Sequence, residues 1–179
     1  YIDFSFDKLK LGGSAFAQSL DKIGKEVPTV QDSEYFANAF NAVQELINKE
    51  LILAGHDISA GGMITTMLEM NFANTEGGLE VSLDEIPEKD LVKILFSENP
   101  GILIQVEKTD EVEKILKKAG VAFIRLARPC DERHLLIHKD GADYQFFIDH
   151  LRDVWFESSY LLDCKQSGEK AAKDRFLNY

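Results

Sequence analysis

The stretch from residue 51 to residue 73 constrains the fold more than any other. An apolar run, Leu51-Ile52-Leu53-Ala54, enters Gly55-His56-Asp57-Ile58-Ser59-Ala60-Gly61-Gly62, and apolar residues then return at helical spacing through Met63, Met67, Leu68 and Met70. That order predicts a buried strand over 51–54, a tight glycine-rich loop over 55–62 and a helix over 63–73. Upstream, Phe36, Ala39, Phe40, Val43, Leu46 and Ile47 mark a helix over 33–50, capped at Asp32 or Ser33. A shorter helix is expected around 15–20.

Downstream the pattern keeps alternating. Residues 79–83, 102–106 and 121–126 read as strands, with helices over 87–96 and 110–119, the latter stopped by Gly120. Residues 134–138 and 144–148 flank Asp140-Gly141, a hairpin turn signal. Residues 149–160 read as a helix holding the single tryptophan, Trp155. Strands alternating with helices, plus a hairpin, predict an α+β fold in which a mixed sheet is packed with helices. Residues 1–162 form the expected domain, and the polar stretch 163–179 reads as a tail or linker.

Composition narrows the function. With 179 residues, 45% of them hydrophobic, the chain can build a core without disulfides or a structural metal. No apolar run approaches the ~18 residues of a membrane helix. The 20 Lys and Arg against 31 Asp and Glu give a net charge of −11, which argues against a nucleic-acid binder. A small phosphorylated ligand held by backbone amides or a metal is compatible with that charge. Cys130 and Cys164 form no CxxC pair, and no signal peptide is visible, so a reducing, cytoplasmic setting is expected. The chain starts at Tyr1 without an initiator Met, which reads as processing or as a piece of something longer.

The loop 55–62 is the strongest chemical candidate. Glycines let backbone amides converge, and the following helix adds partial positive charge, so an anion fits there. Asp57 offers a hard oxygen for Mg²⁺, and Ser59, two residues on, a hydroxyl for a phosphate or a metal-bound water. His56 could act as acid, base or donor. The same residues also suit a plain strand-to-helix turn that merely needs glycine. Glu98, in Ser97-Glu98-Asn99-Pro100-Gly101, could bind a ligand or cap a neighbouring backbone. His134 and His138 share a strand face but lack a third ligand, and Cys130 lacks a catalytic framework. Met63, Met67 and Met70 read as helix packing.

Taken together, Leu11-Gly12-Gly13-Ser14-Ala15, Gly55-His56-Asp57-Ile58-Ser59-Ala60-Gly61-Gly62, Leu95-Phe96-Ser97-Glu98-Asn99-Pro100-Gly101 and Trp155-Phe156-Glu157-Ser158-Ser159-Tyr160 closely resemble the phosphoribosylformylglycinamidine synthases of purine biosynthesis. The match is to the C-terminal subdomain of their second aminoimidazole ribonucleotide synthetase-like unit, over about residues 9–179. The resemblance implies a piece of a cytoplasmic, ATP-dependent carbon–nitrogen ligase and glutamine amidotransferase. In that enzyme ATP phosphorylates the amide oxygen of formylglycinamide ribonucleotide, and ammonia made from glutamine elsewhere displaces the phosphate.

It further implies Mg²⁺ and ATP or ADP as cofactors, Asp57 as metal ligand, and Ser59, Gly61 and Gly62 at the nucleotide. No catalytic residue is assigned to this piece. Its implied partners are the enzyme's other domains, with 163–179 leading towards a glutaminase domain, and neither nucleic acid nor membrane. The family loop usually reads His-Asp-x-Ser-Asp-Gly-Gly, and Ala60 stands at the second Asp. The alternatives are another ATP-dependent enzyme of the superfamily or a non-catalytic scaffold domain, and the isolated chain is expected to be inactive.

Overall fold

The computed structural model describes residues 1–178. Its elements run β1 (Ile2–Asp3), α1 (Ala15–Ser19), α2 (Ser33–Asn48), β2 (Ala54–Asp57), α3 (Gly62–Phe72), β3 (Gly78–Ser82), α4 (Leu91–Phe96), β4 (Gly101–Gln105), α5 (Thr109–Lys118), β5 (Ala127–Cys130), β6 (His134–Lys139), β7 (Ala142–Phe147), α6 (Ile148–Ser167) and α7 (Glu169–Phe176). This is an α+β fold, as the sequence predicts. The chain divides into two compact units, one formed by Tyr1–Met70 with Ser82–Leu126, the other by Asn71–Val81 with the residues from Ala127 onward.

The first unit holds a three-stranded antiparallel sheet in the order β1-β4-β2. Helices α2 and α5 supply its core: Ala39, Ala42, Val43 and Leu46 from one, Val112, Ile115 and Leu116 from the other, with Ile2, Leu51 and Val121. α2 starts where expected because Asp32 accepts the amides of Glu34 and Tyr35 at 2.9 and 3.0 Å. α5 carries Asp110 and Glu111 in its first turn and Lys117 and Lys118 in its last, which matches its dipole.

Three boundaries differ from the sequence reading. The strand expected over 51–54 lies at Ala54–Asp57 instead. Leu51 closes the end of α2, its amide bonded to Leu46 at 3.0 Å, and is buried there. Pairing decides the strand: Ala54 to Asp57 face Gln105 to Ile102 of β4, so His56 and Asp57 belong to a sheet rather than a loop. The helix expected from 87 begins at Leu91, because Asp90 caps it and Glu88 accepts the amides of Lys89 and Asp90. No strand forms over 121–126 beyond a single bridge from Phe123 to Ile2. The strand comes later, as β5, which contains Pro129 and is tolerated because β5 is an edge strand.

The second unit is built on a four-stranded sheet in the order β5-β3-β6-β7. Asp140 and Gly141 join β6 to β7 with φ of 50° and 79°, the two positive values a type I′ hairpin turn requires. Arg133 ties the unit together, donating to the carbonyls of Asn71 and Gly77 at 3.1 Å each and to Asp149 at 3.0 Å. The stretch read as a polar tail is helical as far as Phe176, and Tyr179 lies outside the described residues. α6 runs on to Ser167, Gly168 breaks it with φ of 87°, and α7 follows. Arg175 grips the Asp163 carboxylate at 2.6 and 2.8 Å, and the Tyr160 and Phe176 rings meet at 4.8 Å. The Arg175 and Ser167 hydrogen bonds hold the half-buried Asp163 carboxyl below its ordinary range.

Candidate functional site

β2 carries His56 and Asp57 at its end, Ile58 drops into the interior, and the chain turns through Ser59–Gly61 into α3. The Asp57 carbonyl accepts the Thr66 hydroxyl at 3.0 Å, and Thr66 is buried. The His56 ring stands over the same carbonyl, with Nδ1 at 2.8 Å, and its Nε2 lies 3.3 Å from Glu69 of α3. Ile58 donates to the Gly101 carbonyl at 2.8 Å, which keeps the strand exit against β4. The Asp57 side chain is 78% exposed, and His56 Nδ1 lies 3.6 Å from its Oδ1.

The glycines serve this turn directly. Gly61 and Gly62 have φ of 91° and 75°, and the Gly62 amide donates to the Ser59 carbonyl at 3.0 Å. The Gly61 amide donates to Glu98 Oε1 at 2.9 Å. The same Glu98 oxygen accepts the amide of Ala15, at the start of α1, at 2.7 Å. Of the two readings open for Glu98, the structure has the backbone cap. An internal carboxylate therefore occupies the Gly61 amide on which the anion-site reading drew. That pairing spans 83 residues to Ala15, and no local pattern announces it.

The structure places Asp57 at the end of β2 and Ser59, Gly61 and Gly62 in the turn that follows, with His56 and Glu98 beside them, whereas Cys130, His134 and His138 belong to the second unit. His138 pairs across the hairpin with Asp143 at 2.6 Å. No grouping of three or more His, Cys, Asp or Glu that could hold a metal occurs among the described residues. Met63 and Met67 are buried, in keeping with core packing. Burial, then the charges of Glu132 and Glu80, push the Cys130 thiol above its usual range, so little thiolate is present at neutral pH. In a Cys164→Ser chain, Cys130 is expected to react with iodoacetamide several-fold more slowly than a small free thiol at pH 7.5. A rate equal to the free thiol would contradict the burial argument.

The fold and turn define a class. Residues 6–135 match the family model described as AIR synthase related protein, C-terminal domain, and the chain belongs to that family. Among curated relatives, it is 35% identical to the probable phosphoribosylformylglycinamidine synthase, chloroplastic/mitochondrial, of Arabidopsis thaliana, over 91% of this chain and 12% of that protein. It is 31% identical to the Homo sapiens phosphoribosylformylglycinamidine synthase, over 93% of this chain and 13% of that protein. The chain thus spans about an eighth of the length of these relatives. Its fold is similar to that of Thermotoga maritima PurL complexed with ATP, at TM-score 0.60 and 19% identity, covering 69% of this chain and 23% of that one. The synthase II structure from the same organism gives a TM-score of 0.62 at 17% identity, over 84% of this chain and 27% of that one.

Proposed function

We propose that this chain is a piece of a phosphoribosylformylglycinamidine synthase and supplies half of a Mg–nucleotide site. Asp57 is the Mg²⁺ ligand, Ser59 contacts the nucleotide, and Gly61 and Gly62 give the turn its shape. One contrast carries the reading. The glycine amides and the Asp57 carbonyl are engaged within the fold, whereas the exposed Asp57 carboxylate and the Ser59 hydroxyl accept and donate no hydrogen bond among the described residues. A lone hard carboxylate suits Mg²⁺, which commonly takes one or two carboxylates and fills its shell with water and phosphate oxygens. One such ligand makes a half-site, so the remaining ligands come from outside this chain. Bound there, the metal would neutralise phosphate charge, and the residues of this chain hold and orient it.

For the whole enzyme the proposed reaction is formation of formylglycinamidine ribonucleotide from formylglycinamide ribonucleotide, ATP and glutamine. The names of the relatives support it, as do Thermotoga PurL structures described as complexed with ATP, ADP and FGAR. Its partners are then the other domains of the synthase, residues 1–162 its synthetase-like domain, and 163–179 a link towards a glutaminase. A cytoplasmic location is part of the proposal, although the Arabidopsis relative carries an organellar name. No helix among the described residues is long and apolar enough to cross a membrane.

Calorimetric titration of Mg–ADP and Mg–ATP into the chain tests the half-site. Asp57→Ala is expected to weaken binding at least about tenfold, the usual scale for loss around a metal site. Equal binding by the variant would refute the assignment. Absence of binding by the parent chain at millimolar nucleotide would favour a non-catalytic scaffold role.

A further inference from the structure

We infer that Glu98 is a positioning residue for the Asp57–Ser59 turn, a carboxylate clamp that holds the turn to the first turn of α1. One oxygen, Oε1, receives both the Ala15 amide at 2.7 Å and the Gly61 amide at 2.9 Å. A charged acceptor makes such bonds short and about twice as strong as neutral ones. The clamp is itself held on both sides. Ser97 and Asn99 are buried. Asn99 Nδ2 donates to Ser5 Oγ at 3.2 Å and to the Lys8 carbonyl at 3.0 Å, and its Oδ1 accepts the Lys10 amide at 3.3 Å. Phe16 of α1 stacks on Phe96 of α4 with ring centroids 4.6 Å apart, which brings Ala15 to the carboxylate.

Two consequences follow from this arrangement. Gly61 presents its amide to Glu98, so an arriving phosphate does not displace water there but meets a turn already closed. The orientation of Asp57 and Ser59 then depends on α1 through a residue that touches neither nucleotide nor metal. This functional consequence rests on the nucleotide reading above. The clamp itself does not.

The test combines amide hydrogen exchange by NMR with Mg–ADP titration of the full chain, its Glu98→Ala and Glu98→Gln variants, and Asp57→Ala as control. In Glu98→Ala, exchange at Ala15 and Gly61 is expected to accelerate together, at least about tenfold beyond the other amides, and the Mg–ADP Kd to rise about tenfold. In Glu98→Gln the amide oxygen can still accept both bonds. Both sites should stay protected, with Kd within about threefold of the parent. Should Glu98→Ala fail to fold, Glu98→Gln decides, and loss of protection at either amide there overturns the clamp. So does a Glu98→Ala chain in which the two amides respond separately, while an unchanged Kd overturns the positioning role of Glu98. A parent chain that binds no Mg–ADP sinks the nucleotide reading alone, and the exchange measurement still decides the clamp.

Discussion

Gly62→Ala is expected to lower the unfolding free energy by about 4 kcal/mol, combining roughly 1–3 from a non-glycine residue held at positive φ with roughly 1–3 from overpacking. The φ of Gly62 is 75°, and a Cβ there would sit 2.6 Å from the Leu95 carbonyl oxygen and 2.8 Å from Phe96 Cα and C. All three atoms are backbone of the α4 end, which cannot rotate aside. Gly120 makes the useful comparison. Its φ is 69°, but nothing lies within 4 Å of its added Cβ. Gly120→Ala should therefore cost about half as much, close to the conformational part alone. Urea denaturation followed by far-UV circular dichroism measures both. Equal losses would mean that the approach of α4 to the start of α3 does not determine the residue at 62. Against the ~5–15 kcal/mol of a typical domain, the larger loss leaves a marginal fold.

The sequence made visible what local chemistry decides. The α2 cap at Asp32, the type I′ turn at Asp140-Gly141, the stop at Gly120 and the glycine pair before α3 are all written within a few residues of where they act. The Asp57, Ser59, Gly61, Gly62 set was legible for the same reason: it lies in one turn. What escaped was set by distant partners. Leu51, Ile52 and Leu53 look like a strand, yet the register against β4 starts at Ala54, and Leu51 is used to close α2. Pro129 hides a strand that lies at the edge of its sheet, where a missing amide is tolerated. The helices past residue 163 are amphipathic too weakly to announce themselves, and α7 is held by Arg175 on Asp163 and Tyr160 on Phe176. Glu98 showed as a carboxylate near a strand but not as the acceptor of two amides, because neither donor is its neighbour in sequence.

Gly78→Ala should be the most damaging change in the second unit, and for a reason unlike that at Gly62. Gly78 does not sit at positive φ, so backbone strain is not at issue. A Cβ there would lie 2.0 Å from the His134 carbonyl oxygen, 2.5 Å from the Glu132 carbonyl oxygen and 2.8 Å from the His134 amide nitrogen. These atoms belong to the tight turn into β6, closed by the His134 amide on the Glu132 carbonyl at 2.9 Å, and Arg133 in its middle is committed to Asn71, Gly77 and Asp149. The turn can retreat only by breaking those bonds, so a loss of about 3 kcal/mol or more is expected. Trp155 reports it cleanly, being the only tryptophan and packed on Phe72 and Phe156 at 5.8 and 4.8 Å within the same unit. Its fluorescence transition should move to lower urea in Gly78→Ala. Gly141→Ala is the control: φ is 79° but nothing lies within 4 Å of the added Cβ, so only the conformational cost of about 1–2 kcal/mol applies. If Gly141→Ala proved the costlier of the two, close approach of the 132–134 backbone could not be what requires glycine at 78.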